Sequence, residues 1–155
     1  MQFYSRKATR IPGYDYSKCN FYFITICTHE KKCIFGSPNN LNSWGMIANE
    51  HIRRIEEHYP SVKVNQYVIM PNHVHMIIEM GDHANNPNVS MLVGLYKTGV
   101  TKQIRQECPN IQVWQRSFYD HIIRNQHGYE KIWTYIRDNP KKWKMDCFYI
   151  GEDRN

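Results

Sequence analysis

The sequence predicts an α+β fold in which a four-stranded antiparallel sheet carries helices on one face. Segments rich in β-branched and aromatic residues alternate with segments whose apolar residues follow helical spacing. The first six segments run strand, helix, strand, strand, helix, strand, which is the split β-α-β pattern of ferredoxin-like folds. A seventh segment predicts an added C-terminal helix. The length of the chain, residues 1–155, predicts a single domain.

The first half of the chain predicts an arm, a strand, a helix and a strand pair. Residues 1–18 are polar and predict an N-terminal arm, whereas residues 21–27 are aromatic and β-branched and predict the first strand. A polar loop follows. Residues 43–58 predict a helix, because a serine stands at its N-cap, its isoleucines share one face and a proline follows its end. Residues 62–70 and 73–80 predict two strands around a Pro-Asn break.

The second half predicts a helix, a strand, a helix and a tail. Residues 90–107 predict a helix that is weakened by two glycines. Residues 113–123 carry aromatics and predict the fourth long strand. Residues 129–139 predict the added helix, since Pro140 stops it. Residues 141–155 are basic, then aromatic, then acidic, and predict a C-terminal tail.

Composition limits the class of protein. The chain has a formal charge of +6 and a pI of about 9.1, which is compatible with a polyanionic partner. Its aromatic residues are compatible with base stacking, although aromatics also fill cores. Five cysteines without a Cys-x-x-Cys pair exclude a disulfide framework or a structural zinc pattern, and they predict a reducing cytoplasm. No apolar run approaches the ~18 residues that span a bilayer, so no membrane partner is expected.

Two histidines flank one valine at the start of the fourth predicted segment. Side chains at alternate strand positions share a face, so His73 and His75 present two neighbouring imidazoles while Val74 points into the core. Two neutral imidazoles side by side suit a divalent metal better than a dry core. An arbitrary His-x-His is more often a pair of ordinary strand residues. Other motifs of the chain are needed to choose between these two interpretations.

The added helix supplies a phenol and an amide on one face. Tyr135 and Asn139 are four residues apart, which places them one helical turn from each other. Taken alone, Tyr135 is predicted to be an aromatic residue of the core and Asn139 a helix C-cap. Together with the two imidazoles, the amide oxygen completes a mixed nitrogen and oxygen donor set that suits Mg²⁺ or Mn²⁺ with open positions for a phosphate. A phenol beside such a metal is a candidate nucleophile.

Three segments in order resemble one family. They are residues 70–75, residues 114–124 and residues 135–140, and the interval from His75 to Tyr135 is 135 − 75 = 60 residues. This combination resembles the single-tyrosine HUH transposases, and within them the REP-associated tyrosine transposases, which are relatives of the transposases of IS200/IS605 insertion sequences. The resemblance covers roughly residues 12–145.

The resemblance implies a role for each motif residue. The histidine pair and Asn139 are implied to bind the metal ion, and Tyr135 is implied to be the nucleophile. Tyr119 is a weaker rival because it lies in a strand-like segment without a ligand at helical spacing, and Tyr129 is weaker still.

The implied activity is cleavage and rejoining of single-stranded DNA at hairpin-flanked sites through a 5′-phosphotyrosine intermediate. The alternative is a domesticated or inactive hairpin-binding protein derived from a transposase. A metal-dependent phosphodiesterase, in which water attacks, is a third hypothesis. Family members act as homodimers or as monomers, so the sequence leaves open whether Tyr135 meets the histidines of its own chain or of a partner.

Basic residues predict a path for the DNA backbone. Phosphate contacts of this kind supply affinity and salt dependence rather than sequence choice, and for any single residue a solvated surface charge is the more frequent role. The strongest cluster follows the predicted helix and includes an aromatic side chain. The predicted DNA-binding residues are Lys97, Lys102, Arg105, Arg116, Arg124, Arg137, Lys141, Lys142, Trp143 and Lys144.

Overall fold

A computed structural model describes residues 20–81 and 85–150. The predicted arm and the last residues of the predicted tail, 151–155, lie outside the described residues. The strands and α-helices are β1 (Asn20–Cys27), β2 (Gly36–Ser37), β3 (Asn40–Leu41), α1 (Ser43–His58), β4 (Val62–Met70), β5 (His73–Met80), α2 (Val89–Ile104), β6 (Tyr119–Ile123) and α3 (Gln126–Asp138). Two 3₁₀ segments cover His29–Lys31 and Asn139–Met145. No helix among the described residues is long and apolar enough to cross a membrane.

The main sheet has four antiparallel strands in the order β4-β5-β1-β6. The predicted α+β class is therefore confirmed. In the middle of the sheet, Thr25 of β1 stands opposite His75 of β5 on one side and opposite Tyr119 of β6 on the other. Directly opposed residues share a face, so these three side chains belong to the same surface of the sheet.

The two faces of the sheet are covered by different helices. On one face, alternate β1 residues such as Ile24 join a large core cluster with α1 and α2. On the other face, Phe23 and Ile77 pack against Ile132 and Ile136 of α3 in a smaller cluster. The two predicted helices thus share one face, and the added helix covers the opposite face.

Some element boundaries differ from the predictions. The strand predicted from residue 113 begins at Tyr119, because Ser117 has a φ of 70° and breaks the extended backbone. Helix α3 begins at Gln126, three residues earlier than predicted, since the Asn125 side chain accepts a hydrogen bond from Gly128 N at 2.8 Å and caps it. Helix α2 ends at Ile104 rather than at residue 107. The loop predicted before α1 contains the short β2-β3 hairpin.

The segment after α3 folds back over the sheet. Its 3₁₀ turns begin at Asn139, which is buried, and Phe148 is buried further along. The Asn72 side chain donates to Phe148 O at 2.8 Å and so ties this segment to the turn between β4 and β5. The first part of the predicted tail therefore packs against the face of the sheet that carries His73.

Candidate active site

The alternation of β5 places the histidine pair beneath α3. Val74 lies in the core shared with α1 and α2, whereas His73 and His75 point to the opposite face. Both histidines are fully buried, and their ring centroids are 4.5 Å apart. Two neighbouring polar rings without solvent require partners for their nitrogens.

Each imidazole is held through its Nδ1 atom. Asn72 Oδ1 lies 2.8 Å from His73 Nδ1, and the Asn72 Nδ2 atom donates to backbone carbonyls of Lys31 and Phe148. Because a carboxamide oxygen can only accept, His73 carries its proton on Nδ1 and keeps a lone pair on Nε2. The His75 Nδ1 atom lies 2.8 Å from Thr25 Oγ1. Outer contacts of this kind orient imidazoles that bind metals. Neither Asn72 nor Thr25 was among the predicted site residues.

Helix α3 brings Tyr135 and Asn139 to the same place. The Tyr135 ring centroid is 5.4 Å from that of His75 and 6.1 Å from that of Phe23. Asn139, one turn further, is 3% exposed and forms the C-cap of the helix. Spacing along a helix and alternation along a strand are therefore enough to bring these groups together once α3 lies across the sheet.

Three buried acceptor atoms belong to these residues. The buried atoms His73 Nε2, His75 Nε2 and Asn139 Oδ1 have no hydrogen-bond partner among the described residues. Buried acceptors without a partner are costly, at roughly 1–3 kcal/mol each. Two imidazole nitrogens and an amide oxygen form a donor set that a divalent cation satisfies, so the residues present fit a metal ion.

Asp146 joins the cluster from the segment after α3. Its Oδ2 atom lies 3.7 Å from His73 Nε2 and accepts a hydrogen bond from Asn139 Nδ2 at 2.7 Å. His73, His75 and Asp146 each place one ligand atom within 4.8 Å of the others, a geometry compatible with a divalent metal. This segment was predicted only as a tail. The available signal was an acidic residue two positions after the basic run 141–144 and seven residues after Asn139.

Burial sets the protonation of the cluster. Burial lowers the pKa of His73 to about 4, although the Asp146 carboxylate opposes this shift. Burial also lowers the pKa of His75 well below its usual value, and the neighbouring His73 adds to the effect. Both imidazoles are therefore neutral at pH 7, which is the form that binds metals. Burial and the Asp146 carboxylate raise the pKa of the Tyr135 phenol, so its proton is held tightly.

A cleft of about 480 Å³ opens beside the phenol. It is lined by Tyr135, Asn139 and Asp146 and by the cationic side chains of Lys131 and Lys142. The acidic side chain of Asp138 also lines the cleft, so Tyr135 and Asn139 border a surface opening of mixed charge beside α3.

Comparisons with known proteins decide the family. Residues 15–139 match the family described as IS200-like transposases. The chain belongs to this family. An uncharacterized protein of Haemophilus influenzae is 33% identical over 168 residues, which cover 94% of this chain and 93% of that protein. A second H. influenzae protein, provisionally named a REP-associated tyrosine transposase, is 26% identical over 83% of this chain and 74% of that protein.

A solved structure has the same fold. It is the structure of a REP-associated tyrosine transposase bound to a REP hairpin, with a TM-score of 0.64 and 22% identity over 88% of this chain and 74% of that chain. The predicted resemblance to the REP-associated tyrosine transposases is confirmed by these matches.

The rival tyrosines of this IS200-like transposase lie at other positions of the fold. Tyr129 packs its ring against Phe21 at a centroid distance of 5.4 Å, in the first turns of α3. Tyr119 shares the face of the histidines, but β1 lies between β6 and β5. The Tyr135 ring centroid, in contrast, lies 5.4 Å from that of His75.

The predicted DNA-binding residues fall into separate groups. Lys97 and Lys102 lie on α2, and Arg105 directly follows it. These three residues line one shallow surface pocket on the side of the sheet away from the histidines. Lys97 is half-buried and donates to the backbone carbonyls of Gln115 and Ser117, which gives it a structural role.

Two further predicted residues flank β6. Arg116 is exposed in the loop before β6, and Arg124 is exposed just after that strand.

The remaining predicted residues lie on the side of α3. Arg137 is exposed and pairs with Asp138 at 2.9 Å. Lys141, Lys142 and Lys144 are exposed on the 3₁₀ segment, and Trp143 has its ring centroid 6.0 Å from that of His73. Lys142 of this second group lines the cleft beside Tyr135.

Proposed function

We propose that this IS200-like transposase cleaves and rejoins single-stranded DNA at hairpin-flanked sites through a 5′-phosphotyrosine link on Tyr135. In this proposal His73, His75 and Asn139 hold Mg²⁺ or Mn²⁺, and the protein works in the cytoplasm as a single domain. The supporting observation is that the Tyr135 ring lies 5.4 Å from that of His75, in a site where three buried acceptor atoms have no hydrogen-bond partner among the described residues. The tyrosine lies beside the histidine of its own chain, which supports catalysis within one subunit.

The reaction exchanges one phosphoester for another. The Tyr135 oxygen forms a bond to phosphorus, and the bond between phosphorus and the 3′ oxygen breaks with its electron pair going to that oxygen. The phenol loses one proton and the 3′ oxygen gains one, so atoms and charge balance. Because the phosphodiester energy is kept in the tyrosine link, the reverse reaction with another 3′-hydroxyl rejoins the strand without ATP.

The surroundings of the Tyr135 phenol keep it protonated, so its attack on phosphorus requires help from neighbouring groups. The raised pKa of Tyr135 keeps its proton in place at neutral pH, so the phenol needs positive charge nearby before it attacks. A divalent cation, when bound, polarises the phosphate and stabilises the negative charge that develops during the transfer. Asn72 and Thr25 keep the imidazoles fixed, which limits reorganisation during the reaction.

The DNA strand is proposed to follow the basic side of α3. Lys131 and Lys142 line the cleft, and Lys141 and Lys144 are exposed directly beside it. Contacts of lysines to phosphates supply salt-dependent affinity. The solved relative is described as bound to a REP hairpin, which supports a folded single strand as the substrate here.

A hairpin-binding protein that does not cut is the second candidate. The observation that favours it is the cover over the histidines, since both are fully buried and the Phe148 ring lies 4.5 Å from that of His73. The basic residues beside the cleft serve this function equally well, so strand cleavage itself distinguishes the two candidates.

The deciding experiment is capture of the covalent intermediate. The full chain is incubated with a labelled hairpin oligonucleotide that carries flanking single strands and with Mn²⁺, and adducts are resolved on a denaturing gel. We expect an adduct with the wild type and none with Tyr135→Phe, because that change removes only the attacking oxygen. Tyr129→Phe, on the same helix, is the matched control and is expected to keep the adduct.

The other outcomes are equally informative. An adduct formed by Tyr135→Phe contradicts the assignment of the nucleophile. Tight hairpin binding by the wild type without any adduct, across varied substrates and both metals, supports the hairpin-binding candidate instead.

A further inference from the structure

The cluster at His73 contains a carboxylate beyond the predicted donor set of two histidines and an asparagine. Asp146 Oδ2 lies 3.7 Å from His73 Nε2, and ligand atoms of His73, His75 and Asp146 are all within 4.8 Å of one another. Around one six-coordinate ion with bonds of roughly 2.1 Å, ligand atoms are about 3–4 Å apart. The observed spacing is close to that of a single coordination sphere.

The Asp146 carboxylate is held in a fixed orientation. Its Oδ1 atom accepts a hydrogen bond from Phe148 N at 2.9 Å, and its Oδ2 atom accepts one from Asn139 Nδ2 at 2.7 Å. Because Asn139 donates its NH₂ group to the carboxylate, its Oδ1 atom remains as an acceptor. Asp146 therefore orients one predicted ligand while it presents an oxygen to another.

The contact with His73 brings two acceptors together. The imidazole donates through Nδ1 to Asn72, so its Nε2 lone pair faces the Asp146 oxygen. Two facing acceptors repel each other unless positive charge lies between them. A proton on Nε2 resolves this one contact, whereas a divalent cation also takes up the buried lone pairs of His75 Nε2 and Asn139 Oδ1.

We propose that Asp146 is a fourth protein ligand of the metal ion, together with His73, His75 and Asn139. This inference rests on the proposed metal-dependent function and deepens it. The carboxylate is the negatively charged member of the set and a hard oxygen donor, which Mg²⁺ and Mn²⁺ favour. With Asp146 as a ligand, the metal site would be formed by residues of both strand β5 and the segment after α3.

The test measures metal binding rather than activity. Free Mn²⁺ is followed by electron paramagnetic resonance during titration of the metal-free full chain. We expect Asp146→Asn, which keeps the size of the side chain, to weaken Mn²⁺ binding at least 10-fold, as loss of a charged ligand requires. Asp138→Asn is the matched control, because this nearby carboxylate is engaged by Arg137 at 2.9 Å, and it is expected to bind as the wild type does.

The outcomes separate this inference from the function on which it rests. If the wild type binds Mn²⁺ and Asp146→Asn binds within twofold of it, Asp146 is not a ligand, although the metal site stands. If the wild type binds no Mn²⁺, both proposals fail. Should Asp146→Asn not fold, wild-type protein labelled with ¹³C at the aspartate carboxyl groups replaces it. A strong ¹³C coupling to Mn²⁺ in electron–nuclear double resonance is then expected, and its absence overturns the inference.

Discussion

The two faces of the sheet differ in the residues they bury. On the face beneath α1 and α2, Ile24 and Val74 belong to a continuous apolar core. On the face beneath α3, Phe23 and Ile77 form a smaller cluster, which ends where Thr25 meets the buried histidines. The alternation of two neighbouring strands thus separates residues that stabilise the fold from residues that assemble the site.

The difference between the two faces also explains how the fold stays stable although the site buries polar atoms. Three buried acceptors without partners among the described residues each cost about 1–3 kcal/mol. The apolar face provides compensating stability, because burial of each large aliphatic side chain contributes about 1.5–3 kcal/mol. Changes on the α3 face are therefore expected to alter chemistry more than folding, and changes on the other face to do the reverse.

The largest expected effect is the loss of activity in His75→Ala. Removing this proposed metal ligand is expected to lower adduct formation at least ~10³-fold, since metal stabilisation of the transferred phosphate is worth several kcal/mol. The measurement is adduct yield per folded molecule. Val74→Ala, the neighbour that faces the other core, is the control and is expected to retain adduct formation. If His75→Ala gives an adduct yield within tenfold of the wild type, the α3 face does not carry the activity as expected.

A change on the apolar face is expected to act on stability. Ile24 is fully buried beneath α1 and α2. Ile24→Ala is expected to lower the free energy of unfolding by about 2–5 kcal/mol, through lost burial and the cavity left behind. Urea unfolding measures this change, and adduct formation per folded molecule is expected to stay near that of the wild type. Lower activity in fully folded Ile24→Ala would show that the faces are coupled.

The smallest expected effect concerns an outer contact of the site. Thr25→Val keeps the shape of the side chain but removes the oxygen 2.8 Å from His75 Nδ1. Mn²⁺ affinity is expected to fall ~10–100-fold, because this contact orients the imidazole. Thr98→Val, exposed on α2 on the other side of the sheet, provides the comparison in the same titration. If Thr25→Val and Thr98→Val bind Mn²⁺ with equal affinity, the position of His75 on β5 is enough to orient its imidazole ring.

Much of the architecture followed from local patterns. The strand pair around the Pro-Asn break, the helices and the α+β class were all predictable, because apolar periodicity reports which side of an element is buried. The same periodicity assigned His73 and His75 to one face and Tyr135 and Asn139 to one turn of helix. Boundaries failed where a local interaction competes with periodicity, as with the Asn125 cap and the positive φ of Ser117.

The sequence by itself determined which residues are neighbours along one strand or one helix. It did not determine that Thr25 would lie against His75, fifty residues away, or that Asp146 would fold back to His73. Those contacts depend on strand register and on the path of the chain after α3, and neither leaves a periodic trace in the sequence. Tertiary packing decided them, because the pairing of β1 with β5 and the position of the segment after α3 bring together side chains that are far apart in the sequence.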